Sequence, residues 1–198
     1  MPFSMYGAPM SPPAQTPCIA FEGFRLIASG NLADVAVEAK KVLDRGERAP
    51  VLIFDHATSE PIEVDFRGST DEVRQRLGSS PEPRGRGRPR LGVVAREVTL
   101  LPRHWDWLNQ QPGGASVALR RLVDEARRTN AGRDRMRQAQ DAAYRFMATM
   151  AGNHPGFEEA IRCLYSGNRA RFDQVVENWP ADVRDHVEEL ADAAFRTS

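Results

Sequence analysis

The sequence predicts an α+β protein: a small N-terminal ββαββα unit, an Arg/Gly/Pro linker, a strand-helix-helix module and a mainly helical C-terminal region. Three observations point there. Short β-prone runs, one of them alternating with a period of two, crowd the first third of the chain, whereas later apolar residues recur at helical spacing. Gly78 to Arg90 (GSSPEPRGRGRPR) lacks any large apolar side chain and is a linker by composition. The length, 198 residues, suits one ordinary domain or two small ones.

Residues 1–17 (MPFSMYGAPMSPPAQTP) are too rich in proline and too poor in clustered aliphatics to fold alone, and are expected to form a disordered lead-in. The predicted first domain, 18–77, opens with a tight hairpin over Cys18–Ala28, whose β-prone halves flank Glu22-Gly23. Over Asn31–Asp44, Leu32, Val35, Ala36, Ala39 and Leu43 fall near helical spacing, and Arg45-Gly46 stops the helix. A second hairpin is predicted from PVLIFD (50–55) and PIEVDFR (61–67), the latter turning Ile62, Val64 and Phe66 inward. Ser69 and Glu72 have capping-box spacing for a short helix over Val73 and Leu77.

After the linker (78–91), the module predicted at 92–129 begins with a β-prone run, Val93–Leu101. Pro102 then suits the first turn of a helix reaching Gln111, with Trp105 and Leu108 on one side. Trp105 and Trp107 lie two apart and cannot share that face, so one is expected in the core and the other over a neighbouring surface. Pro112-Gly113-Gly114 breaks the helix, and Ser116 is expected to cap a second one. There Leu119, Leu122, Val123 and Ala126 form an apolar stripe while Arg120, Arg121, Asp124 and Arg127 point away. The C-terminal region, 130–198, carries four stripes expected to pack as core: Tyr144, Met147, Met150; Phe157, Ile161, Leu164; Phe172, Val176, Trp179; and Val183, Val187, Leu190.

Net charge is zero, but its distribution is uneven. Residues 1–83 hold 8 Lys/Arg against 12 Asp/Glu, residues 84–138 hold 13 arginines against 5 acids, and residues 139–198 hold 6 against 10. A basic middle between acidic ends implies an anionic partner for the middle. Within it, Arg84, Arg86, Gly87, Arg88, Pro89 and Arg90 resemble an AT-hook core. Glycine lets the backbone approach the floor of a narrow minor groove, proline keeps it extended, and the guanidinium groups enter where A·T tracts deepen the negative potential.

The order strand, helix, glycine turn, helix resembles the ribbon-helix-helix family. That resemblance implies a homodimer, in which two copies pair their strands into an antiparallel ribbon lying in the major groove. Gly114, Ala115 and Ser116, at the start of the second helix, would hold a phosphate, and Arg103, Arg120 and Arg121 would add salt-dependent affinity. Two strand registers remain open. One points Leu101, Thr99 and Glu97 inward and aims Arg96 at DNA with Leu100 and Val98; the other buries Leu100 and Val98 and exposes Thr99, Glu97 and Leu101.

The stretches FEGFRLIASGNLADV, PVLIFD, RGRPRLGVVAREVTLLPRHWDWLNQQPGGASVALRRLVDEARR, AYRFMATMAG and NWPADVRDH resemble, across nearly the whole chain from about Thr16, a bacterial family known as domain of unknown function 2239. The resemblance implies no activity.

Other classes find little support. The four histidines, His56, His104, His154 and His186, are scattered without HExxH or metal-ligand spacing, and no nucleophile elbow or dinucleotide fingerprint occurs. Asp55-His56 and Asp182 with His186 are at most modest acid/base pairs. Cys18 and Cys163 show no CxxC spacing, in keeping with a reducing compartment. No stretch reads as a signal peptide or membrane span. The expectation is therefore a non-enzymatic, cytoplasmic, nucleoid-associated or regulatory DNA-binding homodimer with no cofactor, metal, membrane or small-molecule substrate. The alternative is an interaction or scaffold protein whose basic middle contacts an acidic surface. RNA binding is weaker, for no aromatic-studded sheet motif is present.

Replacing Arg86, Arg88 and Arg90 by alanine should weaken binding to an A·T-rich duplex without altering the circular dichroism spectrum. Unchanged affinity in fluorescence anisotropy would remove the minor-groove assignment.

Overall fold

The computed structural model describes residues 17–46, 49–78 and 96–196. Residues 1–16, most of the expected linker with Arg84, Arg86, Gly87, Arg88, Pro89 and Arg90, and residues 91–95 lie outside that description. The fold is mixed α+β, in two compact units: Met1–Ser80 with Met136–Ser198, and Pro81–Arg135.

The first unit is built around a three-stranded antiparallel sheet of order β2-β1-β3. Strands β1 (Pro17–Glu22) and β2 (Arg25–Asn31) form the predicted hairpin, with a register shift between Ala20 and Phe21, and β3 (Val51–Asp55) pairs with the other edge of β1. Strand β1 is buried on both faces. Cys18 and Ala20 point with Ile53 toward helix α1 (Leu32–Asp44), where they meet Leu32, Val35 and Ala39. Ile19 and Phe21 point the other way with Phe54, into a larger core completed by the C-terminal helices.

Helix α1 starts where predicted because the Asn31 side chain accepts the Asp34 amide at 3.0 Å, satisfying one first-turn donor. Its buried stripe uses Val42, leaving the expected Leu43 exposed. The capping box of helix α2 (Thr70–Gly78) forms reciprocally, with Ser69 N donating to Glu72 Oε2 at 2.7 Å and Glu72 N to Ser69 Oγ at 3.3 Å.

The strand expected over 61–67 is a correction. Among the described residues a single bridge, Phe54 to Pro61, with the bonds from Asp55 N to the Glu60 carbonyl at 2.9 Å and from Ile62 N to the Ile53 carbonyl at 2.8 Å, extends β3 in that direction. Pro61 has no amide to donate, and the polar groups beyond it turn elsewhere. Arg76 on α2 donates to the Asp65 and Arg67 carbonyls, while the Arg67 guanidinium bridges both Asp65 carboxylate oxygens at 2.9 and 2.6 Å. These bonds hold the Asp65 carboxyl well below the usual carboxylate range, the hydrogen bonds from Arg67 being the main cause. Ile62, Val64 and Phe66 still pack inward, so the alternation read the burial correctly and the pairing incorrectly.

In the C-terminal part, helix α4 (Gly114–Met150) is continuous for 37 residues where the sequence suggested a new region from 130. Polar residues such as Thr129, Asn130 and Arg133 interrupt its apolar stripe, yet none of them prevents helical backbone. Ala142, Ala143, Phe146, Met147 and Met150 line its buried face, whereas the expected Tyr144 is exposed. Helices α5 (Phe157–Ser166), α6 (Arg169–Val176) and α7 (Ala181–Phe195) bury Leu164, Phe172, Val176, Val183, Val187 and Leu190 as anticipated. Arg169 joins α6 to α7 by pairing with Asp173 and Asp192, its guanidinium 5.5 Å from the centre of the Phe195 ring. No helix among the described residues is long and apolar enough to cross a membrane.

Gly156 begins α5 at φ 86°, and a Cβ built there would lie 2.8 Å from Val175 Cγ1. Left-handed backbone in a non-glycine residue costs about 1–3 kcal/mol, and the Val175 contact adds to it. Gly156→Ala should therefore lower unfolding stability by at least about 1 kcal/mol in urea denaturation; an unchanged midpoint would contradict the left-handed assignment.

Candidate nucleic-acid interface

The described part of the second unit is a helical hairpin. Helix α3 (Pro102–Asn109) has Pro102 at its start, as expected, because a proline loses no hydrogen bond in the first turn. Leu101 precedes it in extended conformation, φ −67° and ψ 150°, and supplies no side-chain cap. The turn back into α4 uses left-handed backbone at Gly113 (φ 83°) and Gly114 (φ 75°), which the adjacent glycines supply at little steric cost.

Leu108 of α3 and Ala118 of α4 are the buried hydrophobic residues among those described in this unit. Between the helices lies an apolar depression of about 390 Å³ lined by Leu100, Arg103, His104, Trp107, Leu108, Leu119 and Leu122. Neither tryptophan is core, contrary to the expectation for one of them: Trp105 is 36% and Trp107 48% exposed, and of the expected Trp105–Leu108 side only Leu108 is buried.

The opposite face of α4 is basic. Arg120, Arg121, Arg127 and Arg128 stand around Asp124 and line two shallow neighbouring depressions. Arg120 and Arg128 reach back along the helix to the Ser116 and Asp124 carbonyls, at 3.1 and 3.3 Å. Among the described residues none of the four arginines is ion-paired with a carboxylate.

The positions expected to contact DNA fare differently. Arg96 and Thr99 are exposed, but residues 96–101 form no strand, so the expected run over 93–101 is absent from its described part. A ribbon of this kind has no pairing partner within one chain, and an unpaired segment has no ladder to define it. Leu100 faces the hairpin's apolar depression while Val98 and Leu101 are exposed, so neither proposed register is reproduced in full. Arg103 borders the same depression.

Ser116 is a further correction. Helix α4 begins two residues earlier, at Gly114, so Ser116 sits inside the first turn and its hydroxyl bonds the Arg120 guanidinium at 3.3 Å instead of capping. The Gly114 amide already donates to the Gln111 carbonyl at 2.9 Å. That leaves the first-turn amides of Ala115 and Ser116 without intrahelical acceptors.

In the first unit, the structure also brings together three groups that sequence spacing kept apart. His56, beside the end of β3, and His186 and Glu189, one turn apart on α7, converge, with one ligand atom from each lying within 4.8 Å of the others. His186 is 4% exposed and packs against Phe21 and Phe146. Its burial lowers the imidazole's affinity for a proton, opposed by the hydrogen bond to Glu189.

A family model described as an uncharacterised protein conserved in bacteria, DUF2239, matches residues 17–191. The chain belongs to this DUF2239 family. The match runs through both structural units, in keeping with the resemblance noted across the sequence. No curated protein and no solved structure matches the chain.

Proposed function

We propose that this DUF2239 protein binds DNA as a homodimer, in the cytoplasm or on the nucleoid, through the helical hairpin and the Arg-Gly-Arg-Pro arm that precedes it. The observation that carries the reading is the two-sidedness of the first turns of α4. One face presents Arg120, Arg121, Arg127 and Arg128 without carboxylate partners among the described residues, and the other presents Leu119 and Leu122. Arg120 to Arg128 spans about 12 Å of helix rise, enough to follow several phosphates of one strand. Guanidinium forks suit phosphate oxygens, and the free amides of Ala115 and Ser116 add donors at the positive end of the helix dipole.

Dimerisation follows from how little the hairpin buries. Leu108 and Ala118 make a very small core, while Leu101, Trp105, Trp107, Leu122 and Val123 stay exposed. A second copy covering these residues would remove them from water and supply the strand partner that residues 96–101 lack. No catalytic role is assigned to any residue.

A second reading draws on an acidic depression in the first unit, lined by Asp173, Glu177, Asp185 and Glu188 together with Gln174 and Arg184. The basic face of one copy would then contact the acidic face of another molecule. Competition separates the readings, since excess duplex displaces such a protein partner only if both use the arginine face.

Changing Arg120, Arg121, Arg127 and Arg128 together to glutamine should reduce affinity for a duplex by at least about ten-fold at low salt and flatten the salt dependence, each lost phosphate contact lowering the log–log slope by about 0.9. Anisotropy titrations across a salt series measure both quantities. Equal affinity and slope in the variant, with an unchanged circular dichroism spectrum, would overturn the assignment of this face.

A further inference from the structure

The cluster of His56, His186 and Glu189 lies in the other unit from the arginine face. Its construction starts at the end of β3. The Asp55 carboxylate accepts the amides of Ala57 and Thr58 at 2.9 and 2.8 Å and the Thr58 hydroxyl at 3.0 Å, closing a tight turn. The His56 amide donates to the Pro17 carbonyl at 2.9 Å, tying the same turn to the start of β1. Arg145 on α4 donates to the Thr58 carbonyl, and Ser59 completes the turn at φ 55°. His56 is thus anchored by its backbone while its side chain stays partly accessible, at 32%.

Helix α7 supplies the other two groups. Residues three apart share a helix face, so His186 and Glu189 approach the turn together. The His186 ring is held on its buried side by Phe146, edge to face with centres 4.6 Å apart, and by Phe21 at 6.1 Å. Its Nε2 is buried and has no hydrogen-bond partner.

The separations within the cluster bear on what it can hold. Glu189 Oε2 lies 3.3 Å from His186 Nδ1, a long hydrogen bond, and Glu189 Oε1 lies 3.6 Å from His56 Nε2. Charge-assisted hydrogen bonds between such groups are shorter, about 2.7–2.9 Å. Nitrogen and oxygen ligands placed about 2.0–2.1 Å from one tetrahedral zinc ion are instead about 3.3–3.4 Å apart. One ligand atom from each of His56, His186 and Glu189 lies within 4.8 Å of the other two, close enough for a shared ion to draw the three together. Asp55 is not a fourth ligand, because one of its oxygens already takes three donors and closes the turn. The Glu189 side chain is 60% exposed, so the centre is open to water on one side.

We propose that His56, His186 and Glu189 bind a divalent transition-metal ion of zinc type, with solvent completing the coordination. Two imidazoles and one carboxylate are ligands that such ions accept, and three protein ligands leave a position open. The bound ion links the turn after β3 to α7, across the core that contains Phe21, Phe54 and Phe146.

The test uses untagged, full-length protein stripped with a chelator and titrated with Zn²⁺ by calorimetry, then with Co²⁺ by visible absorption. Wild type should bind one Zn²⁺ per chain, unfold at a higher temperature when loaded, and give cobalt d–d bands without a thiolate charge-transfer band, which excludes Cys18 and Cys163 as ligands. His56→Ala and Glu189→Gln alter accessible side chains, so they keep the fold, and each should weaken zinc binding by roughly ten-fold or more. The inference is overturned if wild type shows no one-to-one binding, if cobalt reports thiolate ligation, or if both variants bind as wild type does.

Discussion

Strand β1 is the constraint on which the first unit depends. Its six residues pair with β2 on one edge and five of them, Cys18–Glu22, with β3 on the other, and its side chains belong alternately to two cores. Cys18 and Ala20 are complete once α1 has formed. Ile19 and Phe21, with Phe54, need partners from beyond residue 136. A hydrophobic sheet face left in water would forfeit roughly 1.5–3 kcal/mol for each large side chain it fails to bury, so the N-terminal residues complete their core only when the C-terminal helices arrive. Burial on both faces also explains the chemistry of Cys18, whose thiol is pushed up to about 11 by desolvation first and by Asp55 second, and so stays protonated at neutral pH.

The hairpin of the other unit obeys the opposite economy of surface. Among its described residues only one leucine and one alanine are buried, and most of its large apolar side chains face water. Such a unit is far below the size at which a single core supports itself. The same helix that offers Leu119 and Leu122 on one side offers arginines on the other. An element that is apolar where a second copy can cover it and cationic where it faces outward has the division of surface expected of a dimeric reader of a charged polymer. This physical logic underlies the proposed DNA binding.

Much of the fold was legible from periodicity and capping. Asn31, Ser69 with Glu72, Pro102 and the glycines after Pro112 mark real boundaries because each meets a local backbone requirement that no distant contact modifies. The errors share the opposite property. Ile62, Val64 and Phe66 alternate as a strand does, yet the Asp65–Arg67–Arg76 network and Pro61 decide where their backbone bonds go. Tyr144 and Leu43 fit helical stripes but sit at the edge, where one residue of rotation separates core from surface. Ser116 has the chemistry of a cap, but α4 begins two residues before it, through the left-handed Gly114. Of the candidate sites, Arg120, Arg121 and the outward position of Arg127 on α4 could be read directly from sequence. The approach of His56 to His186 across 130 positions could not; only the His186–Glu189 spacing gave any hint of it.

The most direct test of the account is hydrogen–deuterium exchange of the intact protein with and without an A·T-rich duplex at low salt. Bound DNA should slow exchange in the amides of the turn and first helical turns of α4, from Gly113 to Arg128, and leave α5 to α7 unchanged. Protection confined to α5–α7, or none at saturating duplex, would contradict the assignment of the arginine face as the site of contact.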